Sequence, residues 1–174
     1  MERGYSLLEI MVVLFVIAII ALFAYPAYDG IMAKVEAQNV QHHAQEALRL
    51  AKVEALLQKS DVIVCYSPDG DICRKNAQEY IIVFVDKNRN NKLDKKDYLV
   101  SREYLGLSYG RIQMNVSLRR DFIKFMGDNA KPRGHFGHIK YCSFANDKYS
   151  YQVVINAHGI VSYKWGKYEN IGCE

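Results

Sequence analysis

From Leu7 to Ala24 the chain is almost unbroken hydrocarbon, with Glu9 as the single charge. A run of this kind comes close to the roughly twenty apolar residues that a helix needs to cross a bilayer. Beyond Pro26 the sequence reads as ordinary soluble protein, so the chain of 174 residues has room for an apolar extension and one domain. A cleaved secretory signal would carry a longer charged region before the run and a small-x-small site after it. Neither is clear here, because apolar and aromatic residues surround Ala18, Ala21 and Ala24. A plain anchor leaves Glu9 unexplained. A carboxylate near the membrane end of an apolar helix is costly, and such residues usually mark a partner or a function.

The residues around Glu9 supply a reason. Met1-Glu2-Arg3-Gly4 is a short charged leader, followed at once by Tyr5-Ser6-Leu7-Leu8-Glu9-Ile10. This stretch closely resembles the G-[FY]-[ST]-L-[LI]-E motif of type IV prepilins and of type II secretion pseudopilins. The resemblance implies cleavage by prepilin peptidase between Gly4 and Tyr5 on the cytoplasmic side, and N-methylation of the new first residue, Tyr5. It also implies that Glu9 pairs with the N-terminal ammonium of a neighbouring subunit during assembly, which fits the rule that a buried charge must be paired. Pro26 matches a family proline that kinks or locally melts the helix. The implied localisation is the bacterial inner membrane, single-pass with the head in the periplasm, and then the pilus fibre or cell surface.

After Pro26, apolar Ala44, Ala47, Leu48, Ala51 and Ala55 recur at helical spacing, with Gln45, Glu46, Arg49, Lys52 and Glu54 on the other face. A single helix from about Tyr5 to about Leu57 is expected, with His42 and His43 solvated rather than metal-binding. Eight strand candidates follow, at 62–66, 80–85, 98–104, 111–118, 122–126, 135–143, 149–156 and 160–165. They are rich in Val, Ile, Tyr and Phe and are separated by Gly, Asn or Asp turns, with His158-Gly159 as a hairpin turn. The fold class is therefore α+β. The expected organisation is a leader at 1–4, a transmembrane or fibre-core helix at 5–25, an amphipathic helix half at 26–58 and a β-rich periplasmic head at 59–174.

Cys65, Cys73, Cys142 and Cys173 all lie beyond the apolar run. An even count in an exported domain points to two disulfides, and four cysteines allow three pairings. Cys65 and Cys73 flank the turn Ser67-Pro68-Asp69-Gly70, which can bring their Cα atoms within bridging distance. A bond from Cys173 to Cys142 would tie down the chain end. A metal site is the weaker reading, since no C-x-x-C pair or ligand histidine accompanies these cysteines.

The head sharpens the resemblance. Glu54-Ala55, Val64-Cys65-x-Ser67-x-Asp69-Gly70-x-x-Cys73, Val83-Phe84-Val85-Asp86-x-Asn88, Gly127, Gly134-x-Phe136, Cys142 and Asn156-x-x-Gly159 are similar to the FimT/FimU minor pilins and their pseudopilin relative GspH. That likeness implies two antiparallel β-sheets packed on the helix. It also implies a low-abundance subunit that primes assembly of a type IV pilus or sits at its tip, with other major and minor pilins as partners. A DNA-binding pilin for natural transformation and a GspH-like minor pseudopilin of a type II secretion system are the alternatives.

Two stretches of the head carry candidate sites. In the segment 86–97, Asp86, Asn88, Asn90, Lys92 (through its carbonyl), Asp94 and Asp97 fall where an EF-hand loop places oxygen donors. Asp97 replaces the bidentate glutamate, and Lys87, Arg89, Lys92, Lys95 and Lys96 crowd the loop with positive charge. An Asn/Asp-rich turn without calcium is the favoured reading. The second stretch is basic: Arg119, Arg120, Lys124, Lys131, Arg133, His135, His138 and Lys140 face only Asp121 and Asp128, and Lys164, Trp165, Lys167 and Tyr168 follow. A groove of such residues can track phosphates and stack bases. Some FimT-like pilins resemble DNA receptors with a G-R-x-R motif, but the aligned Gly159-Ile160-Val161-Ser162 has neither arginine. With a formal net charge of only +4, a solvated basic surface is favoured. The sequence contains no P-loop, G-x-S-x-G or H-E-x-x-H, so it reads as a structural subunit rather than an enzyme.

Overall fold

The computed structural model describes residues 7–173, apart from the side chains of 23–27. Helix α1 (Leu7–Gln58) runs through 52 residues, a length of about 78 Å at the α-helical rise. From Leu7 to Leu22 its side chains are exposed. Burial begins at Ala33 and continues through Ala37, Val40, Ala44, Ala47, Leu48, Ala51 and Ala55. Apart from the adjacent pair Ala47 and Leu48, these positions are three or four residues apart, which keeps them on one stripe. Six of the eight are alanine, so the sheets approach the helix backbone closely.

The head is two four-stranded antiparallel sheets. The first has the order β3-β2-β1-β5, from β1 (Asp61–Ser67), β2 (Tyr80–Asp86), β3 (Tyr98–Tyr104) and β5 (Phe122–Phe125). The second has the order β4-β6-β7-β8, from β4 (Gly110–Val116), β6 (Gly137–Ser143), β7 (Tyr151–Ile155) and β8 (Val161–Trp165). Strand β4 alternates buried and solvent-facing residues, as a one-sided strand should. β1 and β2 are instead buried along almost their whole length. Val62, Val64, Tyr66, Ile81, Val83 and Val85 join the main core with the helix. Ile63, Cys65, Ile82 and Phe84 form a second cluster on the far face, under Cys73, Leu93 and Phe122. Burial on both faces explains the continuous apolar runs in these two strands.

All eight expected strands form, with three ends shifted by two residues and the others by at most one. The expected 111–118 strand stops at Val116, because Leu118 and Arg119 take positive φ (59° and 56°) in a short 3-10 turn. The strand expected from 135 starts at Gly137, after a turn in which His135 N–H donates to Pro132 O. The strand expected from 149 starts at Tyr151, since Asp147–Tyr149 forms a 3-10 turn capped by the Asn146 side chain. The His158-Gly159 turn closes the β7–β8 hairpin as a longer loop, with Asn156 N–H donating to Ile160 O and Gly159 at φ +75°.

Candidate assembly surface and head sites

The expected processing residues Gly4 and Tyr5 lie outside the described residues. So does the side chain of Pro26, although the helix is continuous through that position. The expected membrane span, 5–25, extends at both ends past the side chains described, and among the described residues no helix is long and apolar enough to cross a membrane. What the structure does give is the state of the exposed half. Leu7, Leu8, Met11, Leu14, Phe15, Ile17 and Leu22 present their apolar surface outward, and Glu9 stands exposed among them with no donor among the described residues. Contiguous exposed apolar surface on this scale marks an interaction site.

A second carboxylate on the same helix has the opposite fate. Glu36 accepts from Ser108 N–H at 2.7 Å, from Tyr109 N–H at 3.0 Å and from the Tyr141 hydroxyl at 2.8 Å. Tyr109 reaches further along the helix, its hydroxyl donating to Asp29 at 3.4 Å. Together these contacts fasten the β3–β4 connection and the second sheet to the helix, one turn after its burial begins. Burial and the Glu36 carboxylate both push the Tyr141 hydroxyl far above its ordinary pKa, so it stays a donor. Sequence periodicity marks the alanine stripe but gives no sign of Glu36, since a glutamate on an amphipathic helix reads as solvated.

The four cysteines form two disulfides, Cys65–Cys73 and Cys142–Cys173, with Cα atoms 5.6 Å apart in each. The first staples the 67–79 connection across the outer face of the first sheet. Asp69 holds its turn by accepting from Asp71 N–H, Ile72 N–H and the Ser67 hydroxyl. Those hydrogen bonds, led by the backbone ones, lower its pKa to about 2. The second disulfide pins the C-terminal segment over the second sheet, where Lys140 also donates to Gly172 O at 3.2 Å and Arg111 to Cys173 O at 3.3 Å.

The 86–97 loop is closed by its own groups. Asp86 accepts from Asn90 and Asn91 N–H at 3.1 and 2.9 Å. Asn88 and Asn90 both donate their amides to Asp94 at 2.8 Å. Asp97 accepts from Lys87 and Asp94 N–H, each at 3.0 Å. Lys124, almost buried, donates to Asn91 Oδ1 at 2.9 Å and lies 3.4 Å from Asp61. Its ammonium therefore stands beside the loop where a cation site would need a free oxygen. Among the described residues no group of three or more His, Cys, Asp or Glu is placed to hold a metal ion.

The six candidate DNA-binding cations fall into two groups. Arg119, Arg120, Lys131 and Arg133 surround the turns at 117–121 and 128–136, while Lys164 and Lys167 lie on and after β8, with two strands between it and β4. Several are already engaged: Arg133 with Asp128 at 2.6 Å, Lys164 with Glu169 at 2.8 Å, and Arg120 with Gly134 O at 2.8 Å. The Arg120 guanidinium also packs on the His135 ring, with Nη1 2.7 Å from Nε2, and Phe122 stacks on that ring at 5.3 Å. Burial first, then the charges of Arg120 and Lys124, lower the His135 pKa to about 4, so it is neutral. This histidine is a packed structural residue, as His135 is 6% exposed. His138 is half-buried, with its pKa lowered by burial and Lys140.

Comparison with known proteins agrees with this architecture. The family model "Type II transport protein GspH" matches residues 42–159, and the "Prokaryotic N-terminal methylation motif" matches residues 1–25. No curated protein matches by sequence at a significant level. Among solved structures, the type IV minor pilin FimU of Pseudomonas aeruginosa is similar in fold. It has TM-score 0.51 at 11% identity over 75% of this chain and 91% of that one. The minor pseudopilin EpsH of the Vibrio cholerae type 2 secretion system is also similar, with TM-score 0.47 at 13% identity over 76% and 96%. With the methylation motif on its apolar helix and the GspH model spanning most of its head, the chain belongs to the GspH family.

Proposed function

We propose that this chain is a minor pilin of a type IV pilus, priming assembly or sitting at the fibre tip, and that it waits in the inner membrane with its head in the periplasm. The observation that carries the reading is the division of α1. Its C-terminal half is buried in its own head, whereas its N-terminal half exposes apolar side chains and Glu9 with no partner among the described residues. Such a surface needs lipid first and other pilin helices afterwards. Prepilin peptidase would cut after Gly4, and Glu9 would receive the N-terminal ammonium of the adjoining subunit. Deletion of the gene, scored for piliation, transformation and protein secretion, tests the assignment. Loss of piliation rescued by the wild type but not by Glu9→Gln supports it, and loss of secretion alone overturns it.

The second reading is a minor pseudopilin of a type II secretion system, favoured by the match to the GspH model. The same deletion separates the two. Uptake of DNA draws less support from the head, because its candidate cations are split between two regions and several already have partners.

A further inference from the structure

The end of the head nearest the apolar half of α1 has a surface that the assembly reading does not use. There β6 ends, β7 begins and β8 ends, beside the first buried turns of the helix. A groove of about 560 Å³ opens between the helix and the end of β8, lined by Lys34, Lys148, Lys167, Tyr149, Trp165 and Tyr168. The ammonium groups of Lys148 and Lys167 lie 5.0 and 5.3 Å from the ring centres of Tyr149 and Tyr168. None of the three lysines is in a salt bridge among the described residues. The acids at this end among the described residues are Glu36 and Asp29, which accept from the β3–β4 connection, Asp147 on the 3-10 turn, and Glu169 paired with Lys164.

Exposed aromatic residues extend the patch. Tyr168 is 74% and Phe144 68% exposed. Phe144 is fixed at the same end, because its N–H donates to the carbonyl of Tyr109, which is itself tied to Glu36 and Asp29. Unpaired lysines around half-wet Trp, Tyr and Phe rings are the composition of a membrane–water boundary.

We infer that this end of the head seats on the anionic surface of the bilayer, holding the stored subunit down until its helix is extracted. The inference rests on the anchored reading above and adds a lipid partner for the head. Helix geometry sets the height. With the apolar run ending at Ala24, Lys34 lies about 15 Å further along the axis. Headgroups fill roughly the first 5–7 Å of that distance. The lysine stem spans much of the remainder, bringing the ammonium within a Debye length of about 8 Å of the phosphates. Trp165 and Tyr168 then stand at the water side of the headgroups.

Trp165 is the only tryptophan, so it reports on this surface alone. The full chain is reconstituted into phosphatidylcholine vesicles with or without phosphatidylglycerol, each carrying a headgroup-level quencher, and flotation is measured in parallel. Severalfold stronger Trp165 quenching in the anionic vesicles is expected. It is lost at high salt and in a K34E/K148E/K167E variant whose unfolding temperature is unchanged. Should that variant be destabilised, Phe144→Ser is the second probe and lowers the quenching by itself. Equal quenching in both vesicles, or full quenching in the charge-reversed chain, overturns the inference. So does quenching by a single-stranded oligonucleotide without any by anionic vesicles. A chain that floats with both vesicles yet shows no anionic excess overturns the head contact alone. One that floats only with anionic vesicles overturns the anchor and supports the head contact.

Discussion

Glu36 is the residue on which the attachment of the head to the helix depends most sharply. Its carboxylate receives two backbone N–H groups and the Tyr141 hydroxyl. Truncation in Glu36→Ala leaves these donors unmatched to different degrees. Ser108 is exposed and exchanges its partner for water at little cost. Tyr141 is fully buried, so its hydroxyl keeps a desolvation penalty of about 1–3 kcal/mol. Tyr109 N–H is intermediate and adds about 1 kcal/mol. The sum is about 3 kcal/mol, which lowers Tm by roughly 6–12 °C for a chain of this size. Tyr141→Phe keeps the ring stacked on Tyr151 and removes only the donor, at a cost of about 1 kcal/mol.

The double variant tests whether the two effects share one interaction. Because the hydrogen bond is counted in both single variants, the double should be about 1 kcal/mol more stable than their sum. The measurement is unfolding of the full chain in detergent, followed by Trp165 fluorescence. A Glu36→Ala loss below about 0.5 kcal/mol, the scale of an ordinary surface substitution, would refute the reasoning. Strict additivity in the cycle would refute the pairing with Tyr141 specifically.

Four further outcomes follow from the head. Neutral His135, with its pKa lowered to about 4, binds its proton less readily folded than unfolded, so stability is full above the unfolded value near 6.5 and falls below it. About 2 kcal/mol should be gone by pH 5, and His135→Phe should flatten that part of a pH–Tm profile. Replacing each cysteine pair by serine, which opens loops of sequence separation 8 and 31, should cost about 2.5 kcal/mol for Cys65–Cys73 and about 3.7 for Cys142–Cys173 in denaturant titrations. Tyr66 and Tyr151 bury hydroxyls with no partner among the described residues, so Tyr151→Phe should be neutral or stabilising by up to about 1 kcal/mol in thermal melts. Calcium should give no binding heat and no thermal shift, because the oxygens of Asp86, Asp94 and Asp97 already accept from the loop itself and Lys124 stands beside it.

The strands were legible because β-branched and aromatic runs stop at Gly, Asn and Asp turns, and these turns fix where each strand can end. The ends that moved are instructive. At Leu118 and Asp147 the chain makes short turns without the glycine or proline that would announce them, and only contacts made after folding reveal them; at His135 the turn signals Pro132 and Gly134 are present and the turn runs on past them, delaying the strand to Gly137. The double-sided burial of β1 and β2 was visible as unbroken apolar sequence, but not which loops would cover the outer face. The basic stretch shows a different limit. Arg119, Arg120, Lys131 and Arg133 stay together around two turns, whereas Lys164 and Lys167 lie across the second sheet, and Arg133 and Lys164 pair with acids only five residues away (Asp128, Glu169).

The two carboxylates of α1 show the limit of reading charge from a linear pattern. Glu9 attracts notice because everything around it is apolar, and Glu36 does not because its neighbours are mixed. The fold reverses that order of visibility: Glu36 is enclosed by three donors of its own head, and Glu9 has none among the described residues. A charge satisfied within the chain can only stabilise the subunit. A charge left unsatisfied at the edge of an apolar helix is costly in lipid until a cation arrives. The energy of inserting this helix into a fibre should therefore depend on Glu9, while the stability of the isolated subunit should not. Glu9→Gln and Glu36→Gln are the pair that separates these roles. The first should leave the unfolding of the isolated chain unchanged and reduce its incorporation into fibres, and the second should do the reverse in stability before any effect on incorporation. Equal unfolding shifts in the two variants would show that the helix does not divide its charges in this way.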